Sequence, residues 1–333
     1  MITGCFTKPC STHKIPQERK AFKEKAMVIF MKDYIDIHAH AYRIKPPFSC
    51  NFCTPEELIK RYDEMGVKRG CILPIVSPEI YFPQANEDIL EMAEQYPDRL
   101  IPFCNIDPRV LTDSPRSNLT QVLEHYKNKG CKGVGEVMPN LAVMDPLVQN
   151  LFMACENVGL PVTFDGSDTL GNGDFGLYDD PGLPQLEHTL QSFPNLKIFG
   201  HGPVFWSEIG RLKTPGERSY FYSFRGHFLG RVPQHKIDEE GVVPILFRRY
   251  ENLYGDLSDC TAFNALARDP EYAWKFIDEF QDRLCFGTDM VAPDMPEDTS
   301  STLEKWHNEG HISDIVFSKI MRENAIRIFE LDN

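Results

Sequence analysis

Long apolar runs are missing from this 333-residue chain. Stretches such as MVIFM (27–31) are far too short to cross a bilayer. Positive charge is scarce as well: 35 Lys plus Arg stand against 49 Asp plus Glu, a net −14. Such an acidic surface repels phosphate backbones, so nucleic acid and anionic membranes are poor partners. Ten cysteines do not form a disulfide framework. Cys71, Cys104, Cys131, Cys155 and Cys285 are scattered through apolar runs, where Cys behaves as a small buried hydrophobe, and a reducing, cytoplasmic setting is expected. Cys50 and Cys53 make a single CxxC with no second pair at zinc-ribbon spacing. There is no GxSxG elbow, no P-loop, and no GxGxxG after the first expected strand. These absences argue against serine hydrolysis and nucleotide binding.

The first 32 residues carry seven Lys or Arg and two acids, a charge of +5, which leaves −19 on residues 33–333. MITGCFTKPCSTHK lacks an apolar core followed by a small-residue cleavage site, so a loosely docked arm is expected rather than a signal peptide. A start codon placed too early, with Met27 or Met31 nearer the true beginning, is the alternative. Residues 33–333 are expected to form one domain.

From Tyr34 onward, short β-rich runs alternate with helical stretches. YIDIH (34–38) precedes TPEELIKRYDEMG (54–66), where Thr54 reads as an N-cap, Pro55 follows it and Gly66 is a stop. RGCILPIV, LIPFCNI, KGVGEV, PVTFD, LKIFGH, NLYGDLS and RLCFGTD are the later strand candidates, and a last helix is expected over 314–329. The strands are continuously apolar, as required when both faces are covered. About eight strand–helix units with right-handed crossovers suit a closed (β/α)₈ TIM barrel of the α/β class. An open doubly wound sheet is the runner-up.

Polar residues recur in one place on these units. His38, Glu136, Asp165, His201, Asp256 and Asp289 each fall at or near the C-terminal end of an apolar strand, and in a barrel those ends converge on one face. For Asp256 alone, an N-cap or loop role is the preferred reading. His38-Ala39-His40 places two imidazoles on the same side of an extended segment, where both can reach one ion. Asp289 ends the last strand, the neighbour of the first when a barrel closes. Glu136 can add an oxygen and His201 a nitrogen. The plainer alternatives are an N-cap for Asp289 and a salt bridge to a core arginine for Glu136. Ser258 and Asp259 follow strand seven and are further pocket candidates.

YIDIHAH (34–40), NEDILEMAEQYPDRLIPFCNIDP (86–108), FPNLKIFGHG (193–202), CFGTDM (285–290) and ENAIRIF (323–329) together resemble the amidohydrolase superfamily. The likeness is narrower to its amidohydrolase-related (amidohydrolase 2) branch, which holds metal-dependent hydrolases and non-oxidative decarboxylases of aromatic and muconate-type acids. It extends from about Asp33 to Phe329. The resemblance implies a (β/α)₈ barrel carrying one or two divalent ions, zinc first, with manganese or magnesium as alternatives. It matches His38 and His40 to the first-strand ligands, His201 to the strand-six histidine and Asp289 to the last-strand carboxylate. Many relatives have histidine at the end of strand five, where PVTFDGSD offers Asp165 or nothing. Glu136 lies where some binuclear amidohydrolases carry a metal-bridging carboxylate. The branch contains many dimers, so a homodimer is left open.

Two stretches break the rhythm, GSDTLGNGDFGLYDDPG (166–182) and residues 207–242. The second, an insertion after strand six, holds Arg211, Lys213, Arg218, Arg225, Arg231 and Lys236 interleaved with Tyr220, Phe221, Tyr222, Phe224 and Phe228. A cationic aromatic insertion in an acidic chain suggests a lid for an anionic small-molecule substrate, with Arg225 and Arg231 as its receptors and Asp165 beside them. A surface excursion or dimer contact is the alternative. The leading expectation is a hydrolase acting on an amide, lactone or other ester, with Asp289 and His201 as catalytic groups. A decarboxylase of a cyclic or unsaturated acid comes second, and a non-catalytic binding barrel third.

Overall fold

The computed structural model describes residues 32–47, 51–80, 82, 84–171, 175–218 and 232–332. The chain divides into two units, Met1–Lys32 and Asp33–Asn333, and all elements below belong to the second.

Helix boundaries follow local chemistry. Thr54 Oγ1 accepts the Glu57 N–H at 3.3 Å while Glu57 Oε2 accepts the Thr54 N–H at 2.9 Å, so a capping box starts the helix Pro55–Met65. Gly66 ends it in the left-handed region at φ 81°. Asp145 before Pro146 and Asp269 before Pro270 start the helices Pro146–Val158 and Pro270–Phe280 in the same manner, each accepting a first-turn N–H.

Among the described residues, eight parallel strands make the frame: β1 (Tyr34–Ala39), β2 (Val67–Ile72), β3 (Leu100–Pro102), β4 (Val134–Val137), β5 (Val162–Ser167), β6 (Ile198–His201), β7 (Leu253–Asp256) and β8 (Leu284–Cys285). They pair in sequence order within two runs, β1–β3 and β4–β8, and a two-residue strand, Leu177–Tyr178, adds to β5 outside the ring. Parallel bridges join the runs at Cys104–Val134 and Ala39–Met290, so the strands form a TIM barrel. The seam between β1 and the turn after β8 is reinforced by a buried carboxylate. Buried Asp36 accepts the Thr288 N–H at 2.9 Å, the Thr288 hydroxyl at 2.6 Å and the His38 N–H at 2.9 Å.

The chain end closes the other mouth. Phe329 packs 5.3 Å from Phe103 and 5.4 Å from Phe199, within a buried cluster containing residues of β1, β2, β3, β6, β7 and β8. Only a position on the barrel axis reaches so many strands. Lys132 and Lys197, which precede β4 and β6, donate to the carbonyls of Glu330 and Ile328, so the tail covers the N-terminal ends of the strands. The C-terminal ends are left for the polar residues.

The final helix is not the single element expected over 314–329. It runs as Asp314–Ser318, a π-helical turn over Lys319–Glu323, and Asn324–Phe329. The Ile320 carbonyl is taken by the Phe286 N–H of the barrel at 2.9 Å, and the wide turn sits where that carbonyl is diverted. The described parts of the insertion after β6, 207–218 and 232–242, are anchored to the body of the protein. Arg218 is buried, donating to Glu208 at 3.1 Å and to the Asp179 carbonyl, and Gly210 bridges Glu240. Arg225 and Arg231 lie outside the described residues.

Candidate metal centre

Both imidazoles of the first strand are wholly buried and are held from behind. The His38 Nδ1 lies 2.7 Å from Asp256 Oδ2, and the His40 Nδ1 lies 2.8 Å from the Leu73 carbonyl. A carbonyl or carboxylate can only accept, so each Nδ1 carries the proton and each Nε2 presents its lone pair inward. The two Nε2 atoms stand 3.2 Å apart. Two lone pairs facing each other at that distance require a cation or a proton between them.

Carboxylates complete the ring. Asp289 Oδ1 lies 3.1 Å from His40 Nε2 and 3.5 Å from His38 Nε2. Glu136 Oε2 lies 3.5 Å from both of those nitrogens, while its other oxygen, Oε1, lies 3.5 Å from His201 Nε2. Glu136 therefore faces two donor groups with two different oxygens. Asp289 repeats the arrangement at longer range, its Oδ2 standing 3.8 Å from His201 Nε2. The ligand atoms of His38, His40, Glu136 and Asp289 lie within 4.8 Å of one another, and so do those of Glu136, Asp165 and His201.

Asp165 is buried with an Oδ1 that has no hydrogen-bond partner. Burial first, then the charges of Glu136, Asp289 and Asp259, push its carboxyl well above the usual range. An unpartnered buried carboxylate oxygen beside Glu136 and His201 suits a metal ligand. The chain makes room for it with Gly202, at φ 79°, where a Cβ would fall 2.0 Å from Asp165 Oδ1. Four carboxylates thus crowd three imidazoles in a buried pocket, an arrangement that is costly unless positive charge balances it. Without metal, protons perform that role. Burial disfavours an imidazolium, but Asp256, Asp289 and Glu136 raise His38 well above its ordinary value, and Asp289 and Glu136, accepting hydrogen bonds from the His40 imidazolium, raise it to about 9. Burial likewise opposes ionisation of Glu136, yet His38 holds it well below the carboxylate range. The donor set fits divalent cations: imidazole nitrogens with carboxylate oxygens suit zinc or manganese.

The structure brings His38, His40, Glu136, Asp165, His201 and Asp289 together, from β1, β4, β5, β6 and the turn after β8. Asp256 departs from its expected N-cap or loop role: buried on β7, it grips His38 instead. The sequence offered a signal for this, because Asp256-Leu257-Ser258 repeats the same-side spacing of His38-Ala39-His40 on another strand. Beyond the ligands lies an apolar rim. Tyr42, Met138 and Val291, each two residues past a cluster member, gather with Phe52, Ile75, Phe82 and Phe175.

No curated protein matches this chain, but solved structures do. A TIM-barrel protein from Bordetella bronchiseptica is 17% identical, with TM-score 0.57 and coverage of 90% of this chain and 98% of the other. A probable 2-pyrone-4,6-dicarboxylic acid hydrolase from Acinetobacter baumannii, crystallised with citric acid, is 14% identical at TM-score 0.55, covering 90% and 100%. The 5-carboxyvanillate decarboxylase of Novosphingobium aromaticivorans, complexed with manganese and 4-hydroxy-3-methoxy-5-nitrobenzoic acid, is 13% identical at TM-score 0.53, covering 90% and 96%. At these identities the neighbours speak for the barrel fold. The amidohydrolase family model matches residues 35–331, and the chain belongs to that family.

Proposed function

We propose that the protein is a metal-dependent hydrolase that acts on an amide, lactone or other ester of a small anionic substrate. The observation carrying this reading is the two-sided placement of Glu136, with one oxygen toward His38 and His40 and the other toward His201. Such a carboxylate suits a pair of cations, one held by His38, His40, Glu136 and Asp289 and the other by Glu136, Asp165 and His201. A divalent ion there supplies Lewis-acid polarisation and an acidified water at neutral pH. Zinc is the first choice, and manganese is supported by the neighbouring decarboxylase structure.

The remaining work falls to side chains. Asp289 is the most accessible cluster member, its side chain 17% exposed against 6% for Glu136, so it stands at the boundary where a substrate enters. Its carboxylate takes the proton of the attacking water and returns it to the leaving group. His38 and His40 stay in fixed tautomers through Asp256 and the Leu73 carbonyl. The rim of Tyr42, Phe52 and Met138 excludes water beside the reacting bond. Citric acid and a nitrobenzoic acid in the two neighbours favour a carboxylate-bearing substrate here.

Decarboxylation is the second reading, favoured by the decarboxylase neighbours and by Asp165, a buried carboxyl whose pKa burial raises and which could serve as the acid that protonates carbon. Metal-loaded protein in ¹⁸O water, offered lactones, amides and esters of small acids alongside aromatic carboxylic acids, separates the two. Incorporation of ¹⁸O into a newly formed acid supports hydrolysis. Release of carbon dioxide without ¹⁸O in the organic product overturns it.

A further inference from the structure

We infer that Asp256 and Ser258 form one positioning device, in which a single buried carboxylate fixes the tautomers of two histidines on different strands, directly for His38 and through the Ser258 hydroxyl for His201. The inference rests on the metal-binding reading above and deepens it.

The geometry is a short ladder behind the metal-facing nitrogens. Asp256 Oδ2 lies 2.7 Å from His38 Nδ1, and its Oδ1 accepts the Ser258 N–H at 3.1 Å. The Ser258 hydroxyl lies 3.0 Å from His201 Nδ1 and 3.3 Å from His38 Nδ1. Asp256 Oδ2 is 3.6 Å from His201 Nδ1, too far for a direct hydrogen bond, so His201 depends on the serine. Both Asp256 and Ser258 are fully buried. A hydroxyl has one proton, and the ionised carboxylate accepts only. The Ser258 side chain also hydrogen-bonds the Asp256 carboxylate and, with His38, helps to hold it ionised against burial. The arrangement that satisfies all three groups is His201 Nδ1–H donating to Ser258 Oγ, Ser258 O–H donating to Asp256, and His38 Nδ1–H donating to the same carboxylate. Both Nε2 lone pairs then face the cations.

The support is itself fixed. Trp206 Nε1 donates to the Asp256 carbonyl at 2.8 Å. At Gly287 a Cβ would fall 2.7 Å from Asp256 Oδ1 and 2.9 Å from Ser258 Cβ, so the glycine of CFGTD leaves space for the pair. Ser258 is no nucleophile in this arrangement. Its oxygen lies against the Nδ1 side of both rings, away from the Nε2 atoms where a substrate would react.

His38 keeps Asp256 when the hydroxyl is removed, whereas His201 loses its acceptor. Ser258→Ala should therefore weaken one cation position and spare the other. Loss of a group that orients a ligating histidine lowers metal affinity about 10- to 100-fold. The test is zinc per chain of the full-length protein, dialysed against graded chelator, for parent, Ser258→Ala and Ser258→Thr. Histidine ¹⁵N spectra of the zinc-loaded parent are recorded alongside. The expected result is two zinc ions in the parent, selective loss of the weaker one in Ser258→Ala, recovery in Ser258→Thr, and a proton on Nδ1 of His201. Parental zinc binding in Ser258→Ala, or loss of both ions together, overturns the inference while leaving the metal reading intact. A zinc-free parent overturns the metal reading and the inference with it. Should Ser258→Ala not fold, the parent spectrum still decides: a proton on His201 Nε2 overturns the device.

Discussion

Stripped of metal, the protein should lose stability as the pH rises from 6.5 to 9. His40 moves from its ordinary 6.5 to about 9 because Asp289 and Glu136 hydrogen-bond its charged form, overcoming burial. A pKa raised by folding means that the native state binds the proton more tightly than the unfolded chain does. Its stabilisation is complete below pH 6.5 and is lost as the pH climbs through about 9. A displacement of about 2.5 units corresponds to about 3 kcal/mol. At roughly 2 °C per kcal/mol for a large domain, the melting temperature should drop on the order of 5 °C. His38 is displaced in the same direction, but with its Nε2 only 3.2 Å from that of His40 the pair shares the proton. The assay is thermal unfolding in excess chelator at four pH values across this range, repeated with zinc or manganese. Metal takes the place of the protons, so the loaded protein should show no such decline and should release protons on loading at pH 7.5. A chelated protein whose melting temperature is flat or rises between pH 6.5 and 9 would refute the assignment of His40 to a proton-or-metal position.

The double change His38→Ala, His40→Ala should abolish metal binding and leave a folded barrel by circular dichroism; full stoichiometry in that variant would remove the pair from the centre. Glu136→Gln should lower metal content and catalytic rate together, since a neutral amide is a poorer ligand for a hard cation, and elemental analysis with the assay in parallel checks this. Arg218→Ala strands the buried Glu208 carboxylate, which among the described residues keeps the Gly182 N–H at 2.9–3.0 Å, and should cost about 3–5 kcal/mol in denaturant unfolding. Burial places the Glu208 pKa at about 7 even with Arg218 present, so the loss should be smaller at pH 5, where the carboxyl takes a proton, than at pH 8.

The barrel was readable because its signals are local and repeated: continuous apolar strands, the Thr54 capping box and the Pro-Gly punctuation of the helices. The ring of polar residues was readable because strand ends converge wherever a barrel closes, which turns a one-dimensional regularity into proximity. What sequence could not weigh was a side chain's far end. Asp256 stands before a helix as an N-cap would, and only the approach of His38 from another strand shows it gripping an imidazole. Asp36 has the same character, since its partner Thr288 is distant in sequence and becomes a neighbour only at the closing seam. In the basic insertion, composition alone does not show which arginines are already paired. Arg218 turns into the protein to meet Glu208, an acid of the same insertion, and Arg211 pairs with Glu239.

The central claim is that Glu136 stands between two cation positions. It is tested most directly by loading the full-length protein with manganese and recording its electron paramagnetic resonance spectrum beside elemental analysis. The account predicts two manganese ions per chain and an exchange-coupled multiline spectrum that Glu136→Gln removes. A single ion per chain with an isolated six-line signal, unchanged in Glu136→Gln, would contradict it.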